Sequence, residues 1–133
     1  NLVNLSNDLD NVDLRGNMMM ACMYAGLAFS NTQTAVAHAI SYYVTAHKGV
    51  PHGLACSFTL PKLIDNVLGR YNFVDDALME IFGELSSNKL RILLKRLNVS
   101  TEFESYGIDK QELVLLKKSL QNNKRAMNSL VFI

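Results

Sequence analysis

The sequence predicts an all-α fold, a bundle of about six to eight helices, and three observations carry that expectation. Nothing alternates apolar and polar with period two over a useful length, which removes the half-buried strand. Apolar residues recur at helical spacing instead. Val74, Ala77, Leu78, Ile81, Phe82 and Leu85 form one i, i+3, i+4, i+7 stripe, and Leu90, Leu93, Leu94 and Leu97 form another. Residues that start and stop helices stand between the stripes: Gly49 and Pro51, then Pro61, then Asp109 followed three positions later by Glu112.

Taken in order, residues 1–9 are polar with scattered leucines and read as a loop or the end of an upstream helix. From about Asp10 the pattern is helical. Met18, Met19, Met20, Cys22, Met23 and Tyr24 are apolar on nearly every face, with Ala21, Ala25, Gly26 and Ala28 small between them. An all-round apolar helix is expected to be buried, its methionines acting as flexible core filling. Thr32 to about Tyr43 reads as a second helix with Ala35, Val36, Ala39 and Ile40 as its stripe. The β-branched and aromatic run Tyr42-Tyr-Val-Thr45 is poor for continuing it. Gly49 permits a left-handed cap, Pro51 suits the first position of a third helix, and Pro61 kinks or divides that helix. Lys89, Arg91, Lys95 and Arg96 accompany the second leucine stripe and read as a solvated face. Ser100 to Gly107 is a connector. Asp109 and Glu112 open the last helix, whose buried side is Leu113, Leu116 and Leu120 and which Gln121 to Lys124 break.

Composition sets the class. The 133 residues are 49% hydrophobic and 19% charged, with seven Gly and two Pro, which suits one globular domain with a core. A net charge of +1 leaves no electrostatic footprint for nucleic acid or anionic lipid. The longest apolar run, Met18 to Phe29, is too short to span a bilayer, and no secretory leader is visible. Cys22 and Cys56 do not make a disulfide scaffold. Both have apolar neighbours and read as reduced core residues of a cytoplasmic protein. The chain opens Asn1-Leu-Val without an initiator Met, as a piece of something longer would.

No phosphate-cradling glycine loop, cysteine-pair zinc pattern or Ser-His-Asp nucleophile context is present. The chemically unusual content is a pair of histidines, His38 and His52, fourteen positions apart. On one straight helix they would lie roughly 21 Å apart. Two ligands of one metal must come within about 3–4 Å of each other. They share a metal only if the chain reverses between them, and the Gly49/Pro51 break provides the reversal. His38 projects from an apolar helix, where the plain reading is a satisfied core histidine. His52 sits at a helix start, where the positive end of the helix dipole keeps an imidazole neutral and its lone pair available. Core residues and metal ligands both remain open from the chemistry alone. His47, in the turn beside Lys48, reads as exposed and not a ligand.

Ala25-Gly-Leu-Ala-Phe-Ser-Asn31, His38-Ala39, Pro51-His-Gly53 and Leu60-Pro61 together resemble the signature of the iron-containing (group III) alcohol dehydrogenases, in their C-terminal helical domain. The match runs without a gap and with the same histidine spacing, and a weaker one continues through Tyr106-Gly-Ile108. The resemblance implies an all-α domain of the dehydroquinate synthase-like kind. It would be paired with an N-terminal dinucleotide-binding α/β domain, and the metal would lie in the cleft between them. The implied ligands are one Asp and three His, the last two matching His38 and His52. The first two would come from an Asp-x-x-x-His on an earlier helix, and no such motif precedes His38 here. The expectation is therefore a C-terminal piece, residues 1–133, cut after the first two ligands. Many members carry a further histidine four residues after the first signature histidine, near the nicotinamide. Here it is Tyr42, the candidate catalytic proton donor, although a phenol with an ordinary pKa near 10 is the poorer acid–base. Phe29 matches an aromatic that lines the cofactor and substrate pocket.

What the resemblance implies for the parent enzyme is hydride transfer between NAD(P) and a small alcohol or aldehyde, assisted by Fe²⁺ or Zn²⁺. Its partners would be that small-molecule substrate and its own N-terminal domain, with a homodimer as an option and no nucleic acid or membrane. The wording around both histidines is similar to the branch that includes phosphonoacetaldehyde reductases, while other relatives act on glycerol. The piece alone is expected to hold no tightly bound metal and to be inactive. The competing reading is a non-enzymatic helical interaction module with structural histidines.

Overall fold

A computed structural model describes every residue except Leu85, so the end of the first leucine-spaced stripe lies outside the described residues. The described residues form eight α-helices and two short 3-10 turns with no strand, the all-α class that the periodicity predicts. They divide into two units, Asn1–Gln33 and Thr34–Ile133.

The first unit is α1 (Leu2–Asn7), where the sequence left a loop or a helix end, followed by α2 (Val12–Ser30). Asn11 caps α2 by accepting from the Leu14 amide at 3.0 Å. The burial expected for α2 is not met. None of its residues is buried, and Met19 and Tyr24 are 73% and 61% exposed. Cys22 is exposed too, and is not the core residue its neighbours suggested. Apolar residues on every face express a need for cover. They do not state that the same stretch of chain supplies it.

The second unit is built on α3 (Val36–Lys48). Val36, Ile40 and Val44 recur every four residues and are 1%, 0% and 0% exposed, with Ala39 beside them. Each such side chain contributes on the order of 1.5–3 kcal/mol by leaving water. They pack with Ala55, Phe58, Ile108, Leu116, Leu120 and Ala126 in one core. The β-branched run that was expected to end α3 lies inside it. Val44 is fully buried there, and that burial outweighs a propensity cost of a few tenths of a kcal/mol. The helix stops instead at Gly49, whose φ of 67° is the left-handed cap expected from the sequence.

Pro51 is the N-cap of α4 (His52–Ser57), one position earlier than expected, and α4 lies against α3. The chain turns at Phe58 and Thr59, and α5 (Leu60–Val67) restarts with Pro61 in its first turn, so Pro61 divides the segment. Phe58 is fully buried, its ring 5.1 Å from that of Phe103 and 4.5 Å from that of Tyr106. These two rings lie in the Phe103–Tyr106 turn within the predicted connector. α6 (Asn72–Phe82) and α7 (Ser86–Arg96) follow, and α7 packs on α5 and α6. Lys89, Lys95 and Arg96 are solvated as expected, while Arg91 leaves that face to pair with Asp65 of α5. Asp109 caps α8 (Lys110–Leu120) by accepting from the Glu112 amide at 2.8 Å. Glu112 also accepts from Tyr43 at 2.6 Å and Lys48 at 2.8 Å, tying the end of α3 to the start of α8.

Candidate metal centre

The αL turn at Gly49 lays α4 back against α3 and brings His38 and His52 together. Their ring centroids are 5.6 Å apart and meet edge to face. His38 is half-buried in the first turn of α3, and His52, the first residue of α4, is exposed. The two histidines expected to meet therefore do, and His47 is exposed against Tyr43, outside this cluster. Burial, the neighbouring His52 and the Arg125 guanidinium all lower the pKa of His38, burial most. A neutral imidazole keeps a lone pair for a cation.

Two groups complete the site that sequence reasoning missed. Cys56 is four residues after His52, on the same face of α4, and its Sγ lies 3.6 Å from His52 Nε2. It is half-buried, and its chemistry faces the imidazole. The donor atoms of His38, His52 and Cys56 lie within 4.8 Å of one another, the one cluster of three such groups among the described residues. Its signal in the sequence was the i, i+4 spacing from His52, masked by the apolar neighbours of Cys56.

Ser41 is the second group, fully buried one turn beyond His38. Its hydroxyl donates to the His38 carbonyl oxygen at 2.8 Å and lies 3.3 Å from His52 Nδ1. A hydroxyl has one proton, and the shorter contact, to a group that can only accept, takes it. Toward His52 the same oxygen is then an acceptor, an arrangement that favours the tautomer with its proton on Nδ1 and its lone pair on Nε2. A ligating histidine is normally held this way, by a partner for its other nitrogen.

Tyr42 lies beside the pair, its ring centroid 5.5 Å from that of His52. It is half exposed. Arg125 donates to the Tyr42 hydroxyl at 2.6 Å and stacks over its ring at 4.7 Å, a charge-assisted bond and a cation–π contact on one residue. Phe29 lies near the end of α2 in the first unit and is half exposed.

The residues present fit a divalent metal ion. Two imidazole nitrogens and a thiol converge, one imidazole is held toward neutrality, and a buried hydroxyl lies 3.3 Å from Nδ1 of the other.

A family model described as the C-terminal part of the Fe-containing alcohol dehydrogenase family matches residues 1–129. Among curated proteins, the chain is similar to the sulfoacetaldehyde reductase of Bilophila wadsworthia (strain 3_1_6), 31% identical over 137 aligned positions. That match covers 87% of this chain and 35% of the relative, so the chain spans about a third of the length of the protein it matches. No solved structure matches it.

Proposed function

We propose that this chain, which belongs to the Fe-containing alcohol dehydrogenase family, supplies two of the metal ligands of an NAD(P)-linked alcohol dehydrogenase or aldehyde reductase. The observation that carries the reading is the convergence of His38 and His52 across the α3–α4 reversal. A dinucleotide-binding domain and an Asp-x-x-x-His pair on another part of the same enzyme complete the site. When bound, a divalent ion, iron or zinc, would supply Lewis acidity there, and a nicotinamide would be the hydride carrier.

The chain's own residues have separable tasks. His38 and His52 hold the cation. Ser41 orients His52 by occupying Nδ1. Tyr42 accepts a hydrogen bond from Arg125, which leaves its own O–H to donate toward a substrate oxygen beside His52. Arg125 brings a fixed positive charge to the rim of the site and forms no ion pair with a carboxylate among the described residues. That charge supports a short aldehyde with an anionic group, in the class of sulfoacetaldehyde, over glycerol or a simple alcohol. Phe29 remains the candidate to line the nicotinamide pocket.

The test is made on the whole parent enzyme. Elemental analysis is expected to find one iron or zinc per active site, with NAD(P)-linked turnover faster on sulfoacetaldehyde than on a neutral aldehyde of equal length. His38→Ala and His52→Ala should each lose both metal and turnover while helical circular dichroism is retained. Full metal content and activity in both variants would instead support the helical module with structural histidines.

A further inference from the structure

We propose that a hollow lined from α5, α7 and α8 binds a small organic anion, a carboxylate or phosphate ester with an apolar body. The inference stands apart from the metal-site reading, since none of the residues around this hollow belongs to the His38–His52 cluster.

The cavity is the first reason. Its volume is about 350 Å³, at the lower end of the roughly 300–1,000 Å³ that small-molecule sites occupy. Phe58, Phe103 and Leu113 make its apolar wall. The rings of Phe58 and Phe103 meet edge to face, and Phe58 is fully buried, so that side of the wall is held by the core. Thr59 belongs to the wall as well. It is 2% exposed, and its Oγ1 has no hydrogen-bond partner. A hydroxyl withdrawn from water and given no partner is costly. Beside a cavity, such a group marks where an acceptor on a ligand belongs.

Charge is the second reason. Lys62 of α5, Arg91 of α7 and Lys117 of α8 line the hollow. A second hollow of about 460 Å³ shares Arg91 and Thr101 with it and adds Lys95. Against these four cations stand Asp65, paired with Arg91, and Glu102, which accepts from Thr101 at 3.2 Å. Counting the terminal carboxylate of Ile133, also on the wall, still leaves one positive charge in excess. Lys62, Lys95 and Lys117 form no ion pair with a carboxylate among the described residues. Three helices thus bring like charges toward one place, which is unfavourable until an anion joins them. The ammonium groups would hold the acid group, Thr59 would donate to it, and the aromatic wall would take its apolar body.

Phenyl phosphate and benzoate, each titrated into the ¹⁵N-labelled chain and followed by NMR, test the assignment, with phenol as the uncharged comparison. The expected result is saturable shifts of amides around Thr59, Phe103 and Lys117 with either anion, half-complete in the low-millimolar range or tighter. Phenol should bind at least about tenfold more weakly. The tighter of the two anions identifies the acid group that the hollow prefers. With Lys62→Gln and Lys117→Gln combined, anion affinity should fall by about tenfold or more. Thr59→Val keeps the shape and removes the orphaned hydroxyl, so anion affinity should fall several-fold while the melting temperature holds or rises. Shifts that do not saturate, phenol binding as tightly as the anions, or unchanged anion affinity in either variant would overturn the proposal. The comparison with phenol on the unsubstituted chain decides the matter even if a variant fails to fold.

Discussion

Replacing Ser41 by alanine separates what holds the fold from what prepares the site. Ser41 is fully buried, so the first expectation for losing its hydroxyl is instability. The structure argues otherwise. The bond from Ser41 to the His38 carbonyl is an extra one, because a mid-helix carbonyl keeps its own i+4 amide. The lost hydrogen bond costs about 1 kcal/mol. Alanine returns up to about 0.5 kcal/mol in helix propensity. The freed Nδ1–H belongs to an exposed side chain and turns to water. The net cost is under about 1 kcal/mol, or less than about 5 °C in melting temperature for a domain of this size. Metal affinity should respond far more. Loss of an outer-shell partner typically costs 10- to 100-fold, about 1.4–2.7 kcal/mol. Long-range ¹⁵N–¹H NMR reads the cause directly. In the unsubstituted chain His52 should carry its proton on Nδ1, and in Ser41→Ala the proton should redistribute onto Nε2. A proton on Nε2 before the substitution, or a melting temperature that drops by about 10 °C with the tautomer unchanged, would refute the reasoning.

Two further outcomes concern stability. Phe58→Ala removes a fully buried ring from between Phe103 and Tyr106 and should cost about 3–5 kcal/mol in chemical denaturation. A loss below about 1 kcal/mol would mean that the turn between α4 and α5 is not anchored as described. Glu112 has its pKa lowered by Lys48 first and then by Tyr43. A carboxylate with a depressed folded-state pKa contributes stability above its ordinary value of 4.5 and loses it as pH falls through the folded value. The melting temperature should decline more steeply below pH 4.5 in the unsubstituted chain than in Glu112→Gln, and parallel profiles would discount the Tyr43–Glu112–Lys48 tie.

Much of this was legible in the residues because short-range chemistry decided it. Gly49, Pro61 and the Asp109–Glu112 cap act within a few residues of themselves, and each does in the structure what its chemistry predicts. The meeting of His38 and His52 follows from the same turn. What escaped depended on tertiary surroundings. Tyr42 to Thr45 stays helical because Val44 is buried, a fact about neighbours distant in the chain. Cys56 was assigned to the core by its flanks, although helical spacing from His52 already put a thiol beside an imidazole. The role of Ser41 rests on which of two acceptors takes one proton, which requires distances. The exposure of α2 could not be foreseen from apolar content, which is blind to where the covering surface comes from.

The reversal at Gly49 has an entropic consequence as well. Ligands that are far apart in sequence meet only after a long segment has been closed, and the loss of chain freedom grows with the logarithm of the length enclosed. Enclosing fourteen residues costs about 1.7 kcal/mol less than enclosing a hundred. The α3–α4 pair is a local hairpin of adjacent helices, able to form before the rest of the molecule has found its place. Its two imidazoles would then be neighbours before the later elements pack. On the proposed metal-ligand reading, elements that join later would meet half of a coordination sphere already in place.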